Sequence, residues 1–104
     1  MDEQATFRRA DEPDGPRLLV AGEIDLAVAG TFASAVNDLL ATANGAAAVI
    51  DLTGVSFFNS TGIGVLCDAA AGAKRRGVAL VVRPSDYVRR TLEITGLTDT
   101  FDLR

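Results

Sequence analysis

The hydroxyl of Ser60 lies in a short run, Asn59-Ser60-Thr61-Gly62-Ile63-Gly64, where a buried strand pattern gives way to an amphipathic helix pattern. Backbone N–H groups in the first turn of a helix lack intrahelical partners, and the helix dipole is positive there. The fold would therefore tolerate a phosphate on Ser60. Such a phosphate adds a charge of roughly −1.5 to −2 and three acceptor oxygens, enough to block a close protein contact without unfolding the domain.

The sequence lacks the groups that Ser60 would need to act as a nucleophile. The chain has no His, and the run around Ser60 contains no Lys, which excludes a Ser-His-Asp hydrolase and disfavours a Ser-Lys one. Gly62 and Gly64 resemble the start of a dinucleotide-binding fingerprint, but Cys67 stands at the third glycine position and no Gly-Lys-Ser/Thr loop is present. We predict a protein that is not an enzyme and needs no cofactor.

Each of these residues also has a simpler interpretation. Ser60 could be the N-cap of its helix, a role that is compatible with phosphorylation. Glu23 and Asp25, at the end of a predicted strand, could be solvated charges without a docking role. A glycine costs about 1 kcal/mol inside a helix, so Gly62 and Gly64 indicate that the sheet or another molecule approaches the backbone closely.

The composition of the chain limits the number of domains and the classes of partner that it can have. The chain has 104 residues, 48% of them hydrophobic, which suffices for one domain with its own core, and we expect a single domain over residues 1–104. The chain has ten Lys and Arg against 14 Asp and Glu and no long basic run. This balance disfavours nucleic acid and anionic membrane as the main partner and favours a protein. One Cys and no His disfavour a disulfide and a metal site. Because the pattern shows no signal sequence or membrane span, we expect a cytoplasmic protein that is monomeric when free.

Strand and helix patterns alternate along the chain. Strand patterns cover residues 5–10, 17–24, 46–52, 78–82 and 100–103, and helix patterns cover residues 29–43, 60–76 and 85–95. The predicted helix stops are Asn44-Gly45, Gly77 and Gly96, and Ser85 is the predicted N-cap of the third helix. Short connections between alternating elements predict an α/β fold with a mainly parallel or mixed sheet.

The spacing of apolar residues predicts which side of each helix is buried. The predicted inward residues are Phe32, Val36, Leu39, Leu40 and Ala43 in the first helix, Ile63, Leu66, Cys67 and Ala70 in the second, and Val88, Thr91, Leu92 and Thr95 in the third.

Two segments together resemble the STAS domain family, in particular its anti-sigma factor antagonists. They are Gly22-Glu23-Ile24-Asp25-Leu26 and residues 49–66, which include the run around Ser60. The resemblance continues in matching order through Arg83-Pro84-Ser85 and Ile94-Thr95-Gly96-Leu97, and it covers the chain from about Leu18 onward. It implies a four- or five-stranded mixed sheet backed by helices on one side.

The resemblance also implies a partner and a switch. The family's members bind a serine kinase that doubles as an anti-sigma factor, which frees a sigma factor for transcription in a stress response. Ser60 would be the phosphorylation site that reverses this binding, and the docking surface would comprise Glu23, Asp25, Asn59, Ser60, Thr61 and Gly62. The family usually has Asp where this chain has Asn59, so the surface carries one charge fewer. Asp25, as a rim charge, would affect binding and leave stability almost unchanged.

Two other functions are compatible with the sequence. One is a STAS module that works without a kinase, as a scaffold subunit or a transporter-regulating domain, with Ser60 serving only as a cap. The other is a small nucleotide-binding protein that uses the glycine-flanked loop, which the absence of a nearby phosphate-binding Lys disfavours.

Overall fold

The predicted strands and helices assemble into one mixed sheet with three α-helices. The computed structural model describes residues 5–13, 15–43 and 47–104. Within those residues the strands are β1 Thr6–Glu12, β2 Gly15–Ile24, β3 Ala47–Phe58, β4 Ala79–Pro84 and β5 Asp102–Leu103. The helices are α1 Leu26–Ala43, α2 Ser60–Arg76 and α3 Asp86–Ile94, with a 3₁₀ turn at Thr98–Thr100. The predicted α/β fold is confirmed, and its sheet has five strands.

The strands lie in the sheet in the order in which they occur in the chain. β1 pairs with β2 in antiparallel orientation, whereas β2, β3, β4 and β5 are parallel to one another. Parallel neighbours need crossover connections, which α1, α2 and α3 supply. The ends of β2 and β3 lie side by side, with Glu23 opposite Phe57 and Ile24 opposite Phe58. As a result, α1 and α2 begin next to each other.

A single hydrophobic core lies between one face of the sheet and the helices. Alternate strand residues such as Leu18, Ile50 and Val82 are buried in this core. Residues of opposite orientation, such as Leu19 and Asp51, remain partly exposed. The alternation places the buried side chains on one face, as period-two packing requires.

α1 is the most apolar of the helices, and it is a core helix. Its 18 residues have a mean hydropathy of 1.3, so by length and composition it meets the criterion for crossing a membrane. It packs mainly against α2 and β2. All five residues predicted for its inward face are buried, namely Phe32, Val36, Leu39, Leu40 and Ala43.

α2 is buried partly through small residues. Of the four residues predicted to point inward only Leu66 is fully buried, whereas Ile63, Cys67 and Ala70 are partly buried. Small residues form the rest of the contact between α2 and α1. For example, a Cβ atom added to Gly72 would lie 3.5 Å from Cδ1 of Leu40. The hydrophobic pattern did not reveal this contact, since small residues carry little signal.

The ends of α2 and α3 follow the predicted signals. Gly77 and Gly96 have φ angles of 68° and 73°. The Leu97 N–H donates to the Leu92 carbonyl at 2.8 Å, which is the long bond of a Schellman motif. Both predicted stops are therefore confirmed, whereas Asn44-Gly45 lies outside the described residues.

α3 begins as predicted, behind its cap. The Ser85 Oγ accepts a hydrogen bond from the Val88 N–H at 3.2 Å, which confirms Ser85 as the N-cap. Val88 and Leu92 are fully buried, but Thr91 is only partly buried and Thr95 is exposed. The inward face of α3 is therefore narrower than predicted.

Candidate protein-docking site at the carboxyl edge

Ser60 is the first residue of α2 and is exposed. The N-cap is Asn59, whose backbone is extended, with φ −122° and ψ −167°. The Asn59 Oδ1 accepts hydrogen bonds from the Thr61 N–H at 3.1 Å and the Thr61 Oγ1 at 2.6 Å. Among the described residues, none forms a hydrogen bond with the Ser60 hydroxyl. The interpretation of Ser60 as the cap is wrong, because the amide side chain one residue earlier takes that role.

Asp25 caps α1 in the same manner. Its Oδ1 accepts from the Ala27 N–H at 3.0 Å, and its carbonyl oxygen accepts from the Val28 N–H at 3.2 Å. The carboxylate also faces the positive end of the helix dipole. These contacts count against the expectation that Asp25 matters little for stability, since loss of a cap typically costs about 1 kcal/mol. That expectation arose because the helix was predicted to begin near Ala29, which left Asp25 at a strand end with no helix to cap.

Glu23 lies near these caps without sharing their structural role. It is an exposed residue of β2, and its side chain has no hydrogen bond or ion pair within the described part of the chain. Because Ile24 lies opposite Phe58, Asp25 and Asn59 are the next residues on the two strands. The fold thus brings Glu23, Asp25 and the Asn59–Gly62 segment together. We call this region, residues 22–26, 57–62 and 84–88, the carboxyl edge.

The two glycines of the run differ in what surrounds them. Gly62 is buried, and a Cβ atom there would lie 2.7 Å from Cε1 of Phe58. Gly64 is exposed, and a Cβ atom there would meet no described atom within 4 Å. Packing against Phe58 explains why position 62 holds a glycine. Contacts within the described chain do not explain the glycine at position 64.

Large exposed apolar side chains also lie at the carboxyl edge. Leu26, Phe57 and Tyr87 are 75%, 36% and 43% exposed. The rings of Phe57 and Tyr87 are in contact, with centroids 5.7 Å apart. The sequence analysis missed these residues, although one signal was present: adjacent Phe57 and Phe58 cannot both face the core from a regular strand.

The charges of the carboxyl edge are all negative. The carboxylates of its segments are Glu23, Asp25 and Asp86; the segments contain no Lys or Arg, although the exposed Arg83 and Arg89 directly flank residues 84–88. Within the described residues, no three His, Cys, Asp or Glu side chains are grouped as a metal site would require. The edge therefore offers an unpaired hydroxyl, an apolar contact surface and three carboxylates.

Comparison with known proteins agrees with this architecture. The family profile described as "Mlab, STAS domain" matches residues 7–104. The chain belongs to the STAS domain family. The resemblance noted in the sequence is thereby confirmed over nearly the whole chain.

Several similar proteins are named anti-sigma factor antagonists. The anti-sigma-B factor antagonist of Listeria monocytogenes is 38% identical over 88 residues, which cover 84% of this chain and 76% of that protein. The anti-sigma-F factor antagonist RsfB of Mycobacterium tuberculosis is 35% identical over 101 residues, or 94% of this chain and 80% of that protein. The crystal structure of an anti-sigma factor antagonist from Mycobacterium paratuberculosis superimposes with a TM-score of 0.81 at 32% identity, over 96% of this chain and 85% of that one.

Proposed function

We propose that this STAS domain is an anti-sigma factor antagonist that is switched off by phosphorylation of Ser60. It would bind an anti-sigma factor through the carboxyl edge and so release a sigma factor for transcription. The observation that carries this proposal is the exposed Ser60 hydroxyl at the first position of α2, unpaired among the described residues. The names of the similar proteins support the class of partner.

The residue that caps α2 differs from the residue that would accept the phosphate, and this supports a reversible switch. Asn59 holds the start of α2 through its hydrogen bond to Thr61, so phosphorylation of Ser60 removes no bond of the cap. The positive end of the helix dipole partly compensates the added charge. The phosphorylated domain therefore stays folded, and the change is confined to the surface that the partner contacts.

We infer that the anti-sigma factor is itself a serine kinase and that the pair acts in the cytoplasm in a stress response. In the transfer, the Ser60 Oγ bonds to the terminal phosphorus of a nucleoside triphosphate, and the bond from that phosphorus to the leaving nucleoside diphosphate breaks. A base of the kinase takes the hydroxyl proton, because this chain has no His. The STAS domain contributes the acceptor and no catalytic group.

Incubation with the cognate anti-sigma factor and ATP tests this function. We expect one phosphate on Ser60 by peptide mapping, none on the Ser60→Ala variant, and dissociation of the complex after transfer. Phosphate on Ser56 or Thr61 would contradict the assignment of Ser60. A stable complex without phosphorylation would instead identify a STAS module that works without a kinase.

A further inference from the structure

We propose that Leu26, Phe57 and Tyr87 form an apolar anchor by which the domain holds the anti-sigma factor, an inference that rests on the proposed function. Four large hydrophobic side chains are exposed in the described chain, and these three all lie at the carboxyl edge. The fourth, Ile94, is the last residue of α3, at the other end of that helix. Three of the four exposed apolar residues thus lie at the same edge as Ser60.

The outward position of Phe57 is produced by the strand pairing. The register between β2 and β3 shifts between Gly22 and Glu23, where β3 carries one extra residue. Without that residue, Ser56 would lie opposite Glu23 and Phe57 opposite the buried Ile24. Bulges commonly re-aim a side chain in this way. Here the shift turns Phe57 outward and leaves Phe58 in the core.

The ring of Tyr87 packs against the exposed ring of Phe57. The two ring planes meet at 42°, a tilted contact between the end of β3 and the first turn of α3. The first turn of α3 is itself held by the Ser85 cap and by Val88, which is 0% exposed. Aromatic side chains on rigid elements lose little conformational entropy on binding and dominate many protein interfaces. The Phe57–Tyr87 pair of the anchor is therefore preorganised for a contact.

The carboxylates of the carboxyl edge favour a protein as its occupant. Exposed Leu, Phe and Tyr side chains could also enter a lipid surface, but Glu23, Asp25 and Asp86 would be repelled by anionic lipid and by nucleic acid. The anchor adjoins Ser60 along the chain and across the strand pair: Phe57 precedes Ser60 by three residues, and Leu26 follows Asp25, which lies beside Asn59 where Ile24 pairs with Phe58. A protein that approaches Ser60 closely enough to phosphorylate it therefore covers the anchor, and the occupant is the anti-sigma factor.

Two serine substitutions form a matched test of the anchor. Leu26 and Ile94 are both aliphatic and are 75% and 79% exposed, and they occupy the first residue of α1 and the last residue of α3. In calorimetric titration with the anti-sigma factor, Leu26→Ser should raise the Kd about tenfold or more, whereas Ile94→Ser should change it by less than about twofold. Both variants should melt within a few degrees of the wild type.

Tyr87 provides a second readout that does not depend on substitution. The chain has one Tyr and no Trp, so fluorotyrosine incorporation places a single ¹⁹F label on the anchor. Its resonance should shift when the anti-sigma factor is added and should return after phosphorylation of Ser60. The anchor would be contradicted if the two serine variants bound with equal affinity, or if the ¹⁹F resonance did not move when the complex formed. Either result would leave the proposed function intact. No binding by the wild type would overturn the proposed function and, with it, the assigned occupant.

Discussion

Asp25 and Asn59 cap neighbouring helices with the same hydrogen bond. The Oδ1 of each accepts the N–H two residues further on, at 3.0 Å for Asp25 and 3.1 Å for Asn59. Asp25 follows Ile24 at the end of β2, and Asn59 follows Phe58 at the end of β3. Ile24 and Phe58 lie opposite each other in the sheet. Two positive helix termini therefore open side by side at the carboxyl edge, and both are held by side chains other than Ser60.

Loss of either cap should destabilise the fold. We expect Asp25→Ala and Asn59→Ala each to lower the free energy of unfolding by about 1 kcal/mol, because a first-turn N–H group loses its partner. Asn59→Asp, the control, should retain the cap and gain up to about 0.5 kcal/mol from the helix dipole. Urea denaturation with unchanged slopes measures all three. An Asp25→Ala variant as stable as the wild type would contradict the capping role.

Variants of Ser60 should separate stability from binding. Ser60→Ala should change the free energy of unfolding by less than about 0.5 kcal/mol, because the hydroxyl makes no hydrogen bond with the described residues. It should still bind the anti-sigma factor. Ser60→Asp should fold equally well but bind poorly, because a new carboxylate would be buried in the interface beside Glu23 and Asp25. Equal affinities of both variants in calorimetric titration would exclude charge at this position as the switch.

Gly62 and Gly64 should respond in opposite ways to the same substitution. Gly64→Ala should raise the free energy of unfolding by up to about 1 kcal/mol, since a helical glycine is replaced where space is open. Gly62→Ala should lower it by about 1–3 kcal/mol, because the added methyl group overlaps the Phe58 ring.

The two alanine variants control for each other, since both remove a glycine from the first turns of α2. If a partner approaches the helix backbone beside Ser60, Gly64→Ala should bind more weakly while melting at a higher temperature. Thermal melts and titrations of the same samples measure both effects. A destabilised Gly64→Ala would show that the site is not open.

Substitution of Glu23 tests how the charge of the carboxyl edge affects binding, and it leaves both helix caps intact. Glu23→Lys should slow association with the anti-sigma factor, because rim charges act mainly on the association rate. The free energy of unfolding should change by less than about 0.5 kcal/mol, since the side chain is exposed and forms no ion pair with the described residues. Glu93→Lys, at an exposed position near the end of α3, is the control. Stopped-flow kinetics should show equal rates for that control and the wild type.

Much of the architecture could be predicted because its signals are local. The apolar spacing of α1 identified its buried face, and Gly77, Gly96 and Ser85 marked helix ends through their own backbone or side-chain chemistry. The run around Ser60 likewise indicated both the junction between strand and helix and the resemblance to the STAS family. Such features depend on residues within a few positions of one another, so the amino-acid sequence by itself determines them.

The composition of the carboxyl edge was decided by tertiary structure. The direction of Phe57 and the position of Asp25 beside Asn59 follow from the register of β2 against β3, two strands separated by a helix. A shift of one residue reverses the face of every following side chain. The sequence alone therefore determined that Ser60 opens a helix, whereas long-range strand pairing placed Asp25, Asn59 and the apolar anchor around it.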